Sequence, residues 1–159
     1  MTREEFINLL KEYKENKAKL NIRLKELKTK RLQLKSYEEI ETSLTTAYGI
    51  NQDIHSKNQI SDKILRKVEQ NDKRKRQLEE EISNLEIKVK GLREKVESVE
   101  DRLEALKYKE REILKAYYID GRSYEDIGTN LYWELFKQTR NWETIKKIVE
   151  KATQKMLNL

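Results

Sequence analysis

Residues 64–106 read ILRKVEQNDKRKRQLEEEISNLEIKVKGLREKVESVEDRLEAL, and their spacing decides the fold. Ile64, Val68, Asn71, Lys75, Leu78, Ile82, Leu85, Val89, Leu92, Val96, Val99, Leu103 and Leu106 follow one another in alternating steps of four and three. That is the a/d rhythm of a coiled coil, and a run this long without interruption does not arise from chance apolar spacing. Ser61 is the expected cap of this helix. Continued to about Ile119, the helix is on the order of 85 Å long at 1.5 Å per residue.

A second stripe lies upstream. Phe6, Leu10, Tyr13, Leu20, Leu24, Leu27 and Leu34 keep the same rhythm, with Lys17 and Arg31 in the two remaining positions. Thr2 followed by Glu5 forms a capping-box pattern, so the first helix is expected to run from the N-terminus to about Ser43. Residues 45–59 contain Gly49, Asn51, Asp53, His55, Ser56 and Asn58 without helical periodicity, and read as a loop.

Neither stripe can remain in water, since each leaves large apolar side chains exposed over many turns. The simplest partner for each is the other. An antiparallel hairpin pairs residues whose numbers sum to about 102, which sets Leu24 beside Leu78, Leu20 beside Ile82 and Leu10 beside Leu92. Arg31 then meets Asn71 in a polar layer, with Asp72 or Glu69 to neutralise it. Heptads state that helices associate but not with which chain, so a homodimer through the second helix is the open alternative.

The composition agrees with an all-α fold. Of 159 residues, 40% are charged and 36% hydrophobic, with no Pro and four Gly. The absence of Cys excludes a disulfide framework and a thiolate metal site. No stretch approaches the roughly 18 apolar residues of a spanning helix, and the first thirty residues lack a signal peptide's apolar run. No membrane role and a cytoplasmic location are therefore expected. The formal charge of +6 suits a partner carrying phosphates, although basic charge is a footprint and not a site.

Beyond Leu106 the composition changes. Tyr108, Tyr117, Tyr118, Tyr124, Tyr132, Trp133, Phe136 and Trp142 fall in the last third, where bulky rings supply a short segment with a core. The domain boundary is accordingly set between residues 106 and 107. Gly121 stops one helix and Ser123 caps the next, which runs from Tyr124 to about Leu131 and carries Gly128 where another element can approach closely. Tyr132 to Arg140 follow as apparent extra sequence, in which Trp133, Leu135 and Phe136 complete the small core or lengthen this helix. A last amphipathic helix, Trp142 to about Leu157, is capped by Asn141 and turns Ile145, Ile148, Val149, Ala152 and Met156 inward. The pair reads as a helix-turn-helix.

Here the sequence resembles region 4 of the sigma-70 family. The residues that carry the likeness are Glu110-Arg111 with Ile113-Leu114, then Tyr118, Gly121, Ser123 and Glu125 to Gly128, and the last helix beginning Asn141-Trp142-Glu143-Thr144-Ile145-Lys146-Lys147. The resemblance covers about the last third, and Trp142 stands where the family usually has Arg. With a coiled-coil N-terminal part, the layout is similar to small phage and prophage sigma-like regulators of the ArpU and RinA kind. No region 2 is found, so a promoter-melting sigma factor is not implied. The resemblance implies duplex DNA as ligand, RNA polymerase as a partner, and Glu143 as a base-reading residue.

Physically, Glu143 can accept from cytosine N4, while Lys146 and Lys147 can reach guanine acceptors or phosphate. Arg122, Lys137 and Arg140 are candidate phosphate anchors, and Asn141, Trp142, Thr144 and Lys151 complete the expected DNA-binding set. The competing view makes all of these the solvated face of an amphipathic helix. No catalytic residue, metal or cofactor is expected. His55 is the only His, and the carboxylates alternate with Lys and Arg as on exposed helix faces. Lys73-Arg74-Lys75-Arg76 and the stretch Lys25 to Lys35 can touch DNA backbone, though solvated coil surface is the simpler account. The expectation is a DNA-binding transcription regulator and not an enzyme. Its rivals are a coiled-coil adaptor that binds protein, and a packaging component of the small-terminase type.

Overall fold

A computed structural model of the chain describes the backbone of residues 2–49 and 58–158 and the side chains of residues 2–40 and 66–158. Every regular element among them is helical: α1 (Arg3–Gly49), α2 (Asn58–Glu104), α3 (Tyr108–Leu114), α4 (Tyr124–Asp126), α5 (Tyr132–Phe136) and α6 (Trp142–Leu157). Wider π turns, Lys115–Ile119 and Ile127–Leu131, continue α3 and join α4 to α5. No described helix is long and apolar enough to cross a membrane.

The capping box forms as expected: the Thr2 N–H donates to Glu5 Oε2 at 2.7 Å, and the Glu5 N–H to Thr2 Oγ1 at 3.2 Å. Both long helices reach into the segment expected to be a loop, α1 through Gly49 and α2 from Asn58, so Ser61 lies inside α2 and does not cap it. The rest of that segment, with His55, lies outside the described residues. Along α2 the heptad reading holds from Ile82 to Leu103, where Ile82, Leu85, Val89, Val96, Val99 and Leu103 are buried and Leu92 is half-buried.

The α1 and α2 helices pack together, in two compact groups of residues: 1–20 with 91–159, and 21–90. In the first, Phe6 and Leu10 share a core with Val99, Leu103, Leu106, Leu114, Ala152 and Met156. Tyr13 donates to Glu100 at 2.5 Å, and Lys17 donates to the same carboxylate oxygen at 2.7 Å. These bonds, the one from Lys17 foremost, hold the Glu100 carboxyl below its ordinary range. Burial, and then the bond to Glu100, pushes the Tyr13 phenol up. In the second group Lys30 pairs with Glu81 at 2.5 Å and Arg31 with Glu86 at 2.6 Å.

This register departs from the expected one. Leu10 meets Val99 and Leu103, not Leu92, and Lys30, due opposite residue 72, meets Glu81. The Arg31–Asn71 layer does not form, since Arg31 is taken by Glu86. A slip of about three turns leaves an a/d seam apolar, so heptads alone could not choose. The register adopted brings Phe6 and Leu10 onto Leu114, Ala152 and Met156, contacts that no heptad encodes. It also buries Asn16 to 6% exposure and turns its neighbour Lys17, expected in the seam, outward to Glu100.

The second departure is the end of α2. The helix stops at Glu104, and Lys107 takes an extended conformation (φ −60°, ψ 146°) before α3, in place of one helix running to Ile119. Ala105, Leu106 and Lys107 contain no helix breaker. The break lets Leu106 and Leu114 enter the same cluster from different directions, a case of packing overriding propensity.

Candidate nucleic-acid interface

The last helices are built around Ile113, Ala116, Ile127, Tyr132, Ile145 and Val149. Gly121 (φ +70°) ends the first of them, and the Arg122 N–H closes the turn on Ala116 O at 2.9 Å. Ser123 caps the next, accepting from the Asp126 N–H at 3.2 Å. That helical run does not stop near Leu131. Through the π turn it continues to Phe136 and is closed by Lys137 in the left-handed region (φ 54°).

The apparent extra sequence between Tyr132 and Arg140 is therefore mostly helix. With Lys137 closing one helix and Asn141 opening α6, only Gln138, Thr139 and Arg140 lie between the caps. Of the apolar residues in that stretch, Tyr132 is buried and Phe136 half-buried. Trp133 and Leu135 stay exposed, at 53% and 36%.

Gly128 fixes how this turn sits. The Arg140 N–H donates to Gly128 O at 2.9 Å, and a Cβ on Gly128 would lie 2.2 Å from Arg140 O. Only a residue without a side chain admits the backbone this closely. The close approach expected at Gly128 is thus made by the turn that leads into α6.

The α6 helix begins at Trp142, as expected. Asn141 accepts from the Thr144 N–H at 3.0 Å and from its hydroxyl, so both side chains are committed to the cap. Ile145, Val149, Ala152 and Met156 are buried, Ile148 is half-buried, and Thr153 is also buried through a bond from its hydroxyl to Val149 O at 2.8 Å. The outer side carries two stripes at four-residue spacing, Trp142–Lys146–Glu150 and Glu143–Lys147–Lys151, all exposed. Among the described residues Lys146, Lys147 and Lys151 have no carboxylate partner, whereas Lys155 is paired with Glu110.

The expected site residues thus divide. Trp142, Glu143, Lys146, Lys147 and Lys151 share one side of α6, and Arg140, Asn141 and Thr144 stand at its start. Lys137 closes the preceding helix. Arg122 lies before α4, where it pairs with Asp126 at 3.6 Å.

Two features were missed in the sequence. Tyr117 stacks on Tyr124 with centroids 4.3 Å apart and planes within 9°, and burial, then the bond with Tyr117, pushes the Tyr124 phenol up. The other is Tyr132, 1% exposed, with Lys109 Nζ 4.6 Å from its ring centroid and the Arg140 guanidinium carbon 5.8 Å away. Burial acts to raise this phenol, but polar contacts with Lys109 and Arg140, and their charge, outweigh it and hold the hydroxyl below its usual range. The four-residue spacing of Gly128 and Tyr132 was the available signal for one helix face; nothing in the spacing pointed to Lys109.

No protein-family model, curated protein or solved structure matches this chain.

Proposed function

We propose that the run 124–136 and α6 form a helix-turn-helix that binds duplex DNA, with α6 as the recognition helix, and that the protein is a sequence-specific transcription regulator. The observation that carries this reading is the outer side of α6: among the described residues Lys146, Lys147 and Lys151 have no carboxylate partner, and they project beside an exposed Trp142 and Glu143. A helix held by its inner stripe, with unneutralised cations near its N-terminal end, meets the requirements of major-groove readout. The three residues between the caps agree with the short turn of such motifs. The likeness to sigma-70 region 4 adds a phage or prophage setting and RNA polymerase as a partner.

The protein-adaptor reading rests on exposed Trp133 and Leu135. Replacing Lys146 and Lys147 together by Ala separates the two. Folding should be intact by circular dichroism, while affinity for labelled duplexes falls. A loss common to all sequences, with a shallower salt dependence, identifies phosphate contacts, and relaxed preference at defined positions identifies base contacts. Glu143→Ala should instead hold or raise non-specific affinity and weaken preference at one base pair by roughly 1–3 kcal/mol. Unchanged duplex binding by the folded double variant overturns the DNA reading in favour of the adaptor.

A further inference from the structure

We infer that Lys109, Tyr132 and Arg140 form a clamp for a single phosphodiester, which sets the register of α6 on the duplex; the inference rests on the DNA-binding reading above. Three observations converge. Lys109 and Arg140 come from distant parts of the chain, yet both reach the ring of Tyr132, at 4.6 and 5.8 Å from its centroid. Lys109 also lies 5.4 Å from the Phe136 centroid. Neither cation has a carboxylate partner among the described residues; Arg140 donates to the neutral Gln138 at 3.3 Å, and both cations make polar contacts with Tyr132.

Two like charges gathered at one phenol repel each other, and in such a place a carboxylate ordinarily intervenes. Here none does. What holds them is Tyr132, whose ring attracts cations and whose hydroxyl makes polar contacts with both, and the backbone, which pins Arg140 through its N–H to Gly128 O at 2.9 Å. An anion between the ammonium and the guanidinium would relieve the repulsion, while Tyr132, buried at 1% exposure, takes no part in the contact and holds the two cations from beneath. The ligand class follows from the chemistry: a tetrahedral oxyanion with several acceptor oxygens, which Arg and Lys both accept. A backbone phosphate rather than a free one is indicated by position. Arg140 immediately precedes Asn141, the cap of α6, so an anion held there sits beside the end of that helix that would enter the groove.

A clamp on one phosphate makes a prediction that two separate contacts do not. Each phosphate neutralised contributes about −0.9 to the slope of log K against log salt for duplex DNA. If Lys109 and Arg140 share a phosphate, then Lys109→Gln, Arg140→Gln and the double variant should together lose no more than about 0.9 of slope, roughly a 3.5-fold change in salt response over a fourfold salt range. Lys109→Arg should retain wild-type affinity, and Tyr132→Phe, which keeps the core, should weaken binding several-fold without changing the slope.

The test is a titration of the full chain with a labelled random-sequence duplex at several salt concentrations, with helicity checked for every variant. Slope losses that add to about twice the single value, or no loss at all, overturn the clamp. A parallel arm titrates inorganic phosphate while the Arg140 side-chain Nε resonance is followed. A shift in the wild type that is absent in Lys109→Gln, with no duplex binding by the wild type, retains the clamp for free phosphate and rejects the DNA reading. No shift and no slope change reject both.

Discussion

The long helices α1 and α2 and the short helices between Tyr108 and Leu157 are held by different means. Within residues 21–90, buried apolar side chains are sparse among those described: Leu27, Ile82, Leu85 and Val89, flanked by exposed Ile22, Leu32 and Ile87. The cross-links there include ion pairs at the surface, such as Arg31–Glu86 at 60% and 47% exposure, and exposed pairs of this kind contribute roughly 0–1 kcal/mol each. The short helices instead enclose Ile113, Leu114, Ile127, Tyr132, Ile145 and Met156 nearly completely, and their course is fixed by single residues such as Gly128 and Ser123. A repeated, forgiving interface thus stands against a small core whose parts are not interchangeable.

Truncation in the core tests that contrast with the largest effect. Ile127→Ala should cost about 2–5 kcal/mol, because a fully buried side chain leaves a cavity its neighbours cannot fill. Leu27→Ala, at 7% exposure on a helix pair that can settle, should fall near or below the bottom of that range, and Leu32→Ala, at 60% exposure, within about 0.5 kcal/mol of neutral. Urea unfolding followed by Trp133 and Trp142 fluorescence reports on the short helices, and circular dichroism on the long ones. Equal losses for Ile127→Ala and Leu27→Ala break the distinction.

The glycines sharpen it. Gly128→Ala places a Cβ 2.2 Å from Arg140 O, a backbone atom that cannot step aside, and should cost about 1–3 kcal/mol. Gly91, inside α2, has nothing within 4 Å of the same added carbon. Gly91→Ala should therefore stabilise by roughly 0.5–1 kcal/mol through helix propensity alone. Thermal melts of the two variants check the opposite signs; a neutral Gly128→Ala would mean that the turn into α6 is not tightly packed.

The same contrast explains what the sequence disclosed. Helix class, the α2 seam beyond Leu78, the Thr2–Glu5 box and the caps Ser123 and Asn141 were all readable, because each rests on residues a few positions apart. The hairpin register was not, since the pattern that announces a coiled coil makes its heptads alike. The stop at Glu104 was equally hidden, as Ala105-Leu106-Lys107 contains no helix breaker, and Leu106 packs in one cluster with the distant Leu114 and Phe6. In the candidate site, the exposed side of α6 followed from periodicity. The meeting of Lys109 with Arg140 did not, because it depends on how two separate helices cross.

Asn16 poses the sharpest question about register. Its side chain is buried at 6% exposure, and its amide Nδ2 has no hydrogen-bond partner. A buried unpaired amide is destabilising by about 1–3 kcal/mol, so Asn16→Leu should raise the unfolding midpoint by an amount in or below that range. Polar groups in a seam also select among registers. If Asn16, Tyr13 and Lys17 do this together, Tyr13 and Lys17 through Glu100, then removing all three as Asn16→Leu, Tyr13→Phe and Lys17→Ala leaves a seam with little to tell one heptad from the next. Spin labels at residues 30 and 81, whose native side chains touch at 2.5 Å, read the outcome, because the chain has no Cys to compete for labelling. Asn16→Leu alone should keep the single short distance. The triple variant should add a population displaced by one heptad, roughly 10 Å along the axis. A single short distance in the triple variant would locate the register elsewhere, in the packing of Phe6 and Leu10 against Leu114, Ala152 and Met156.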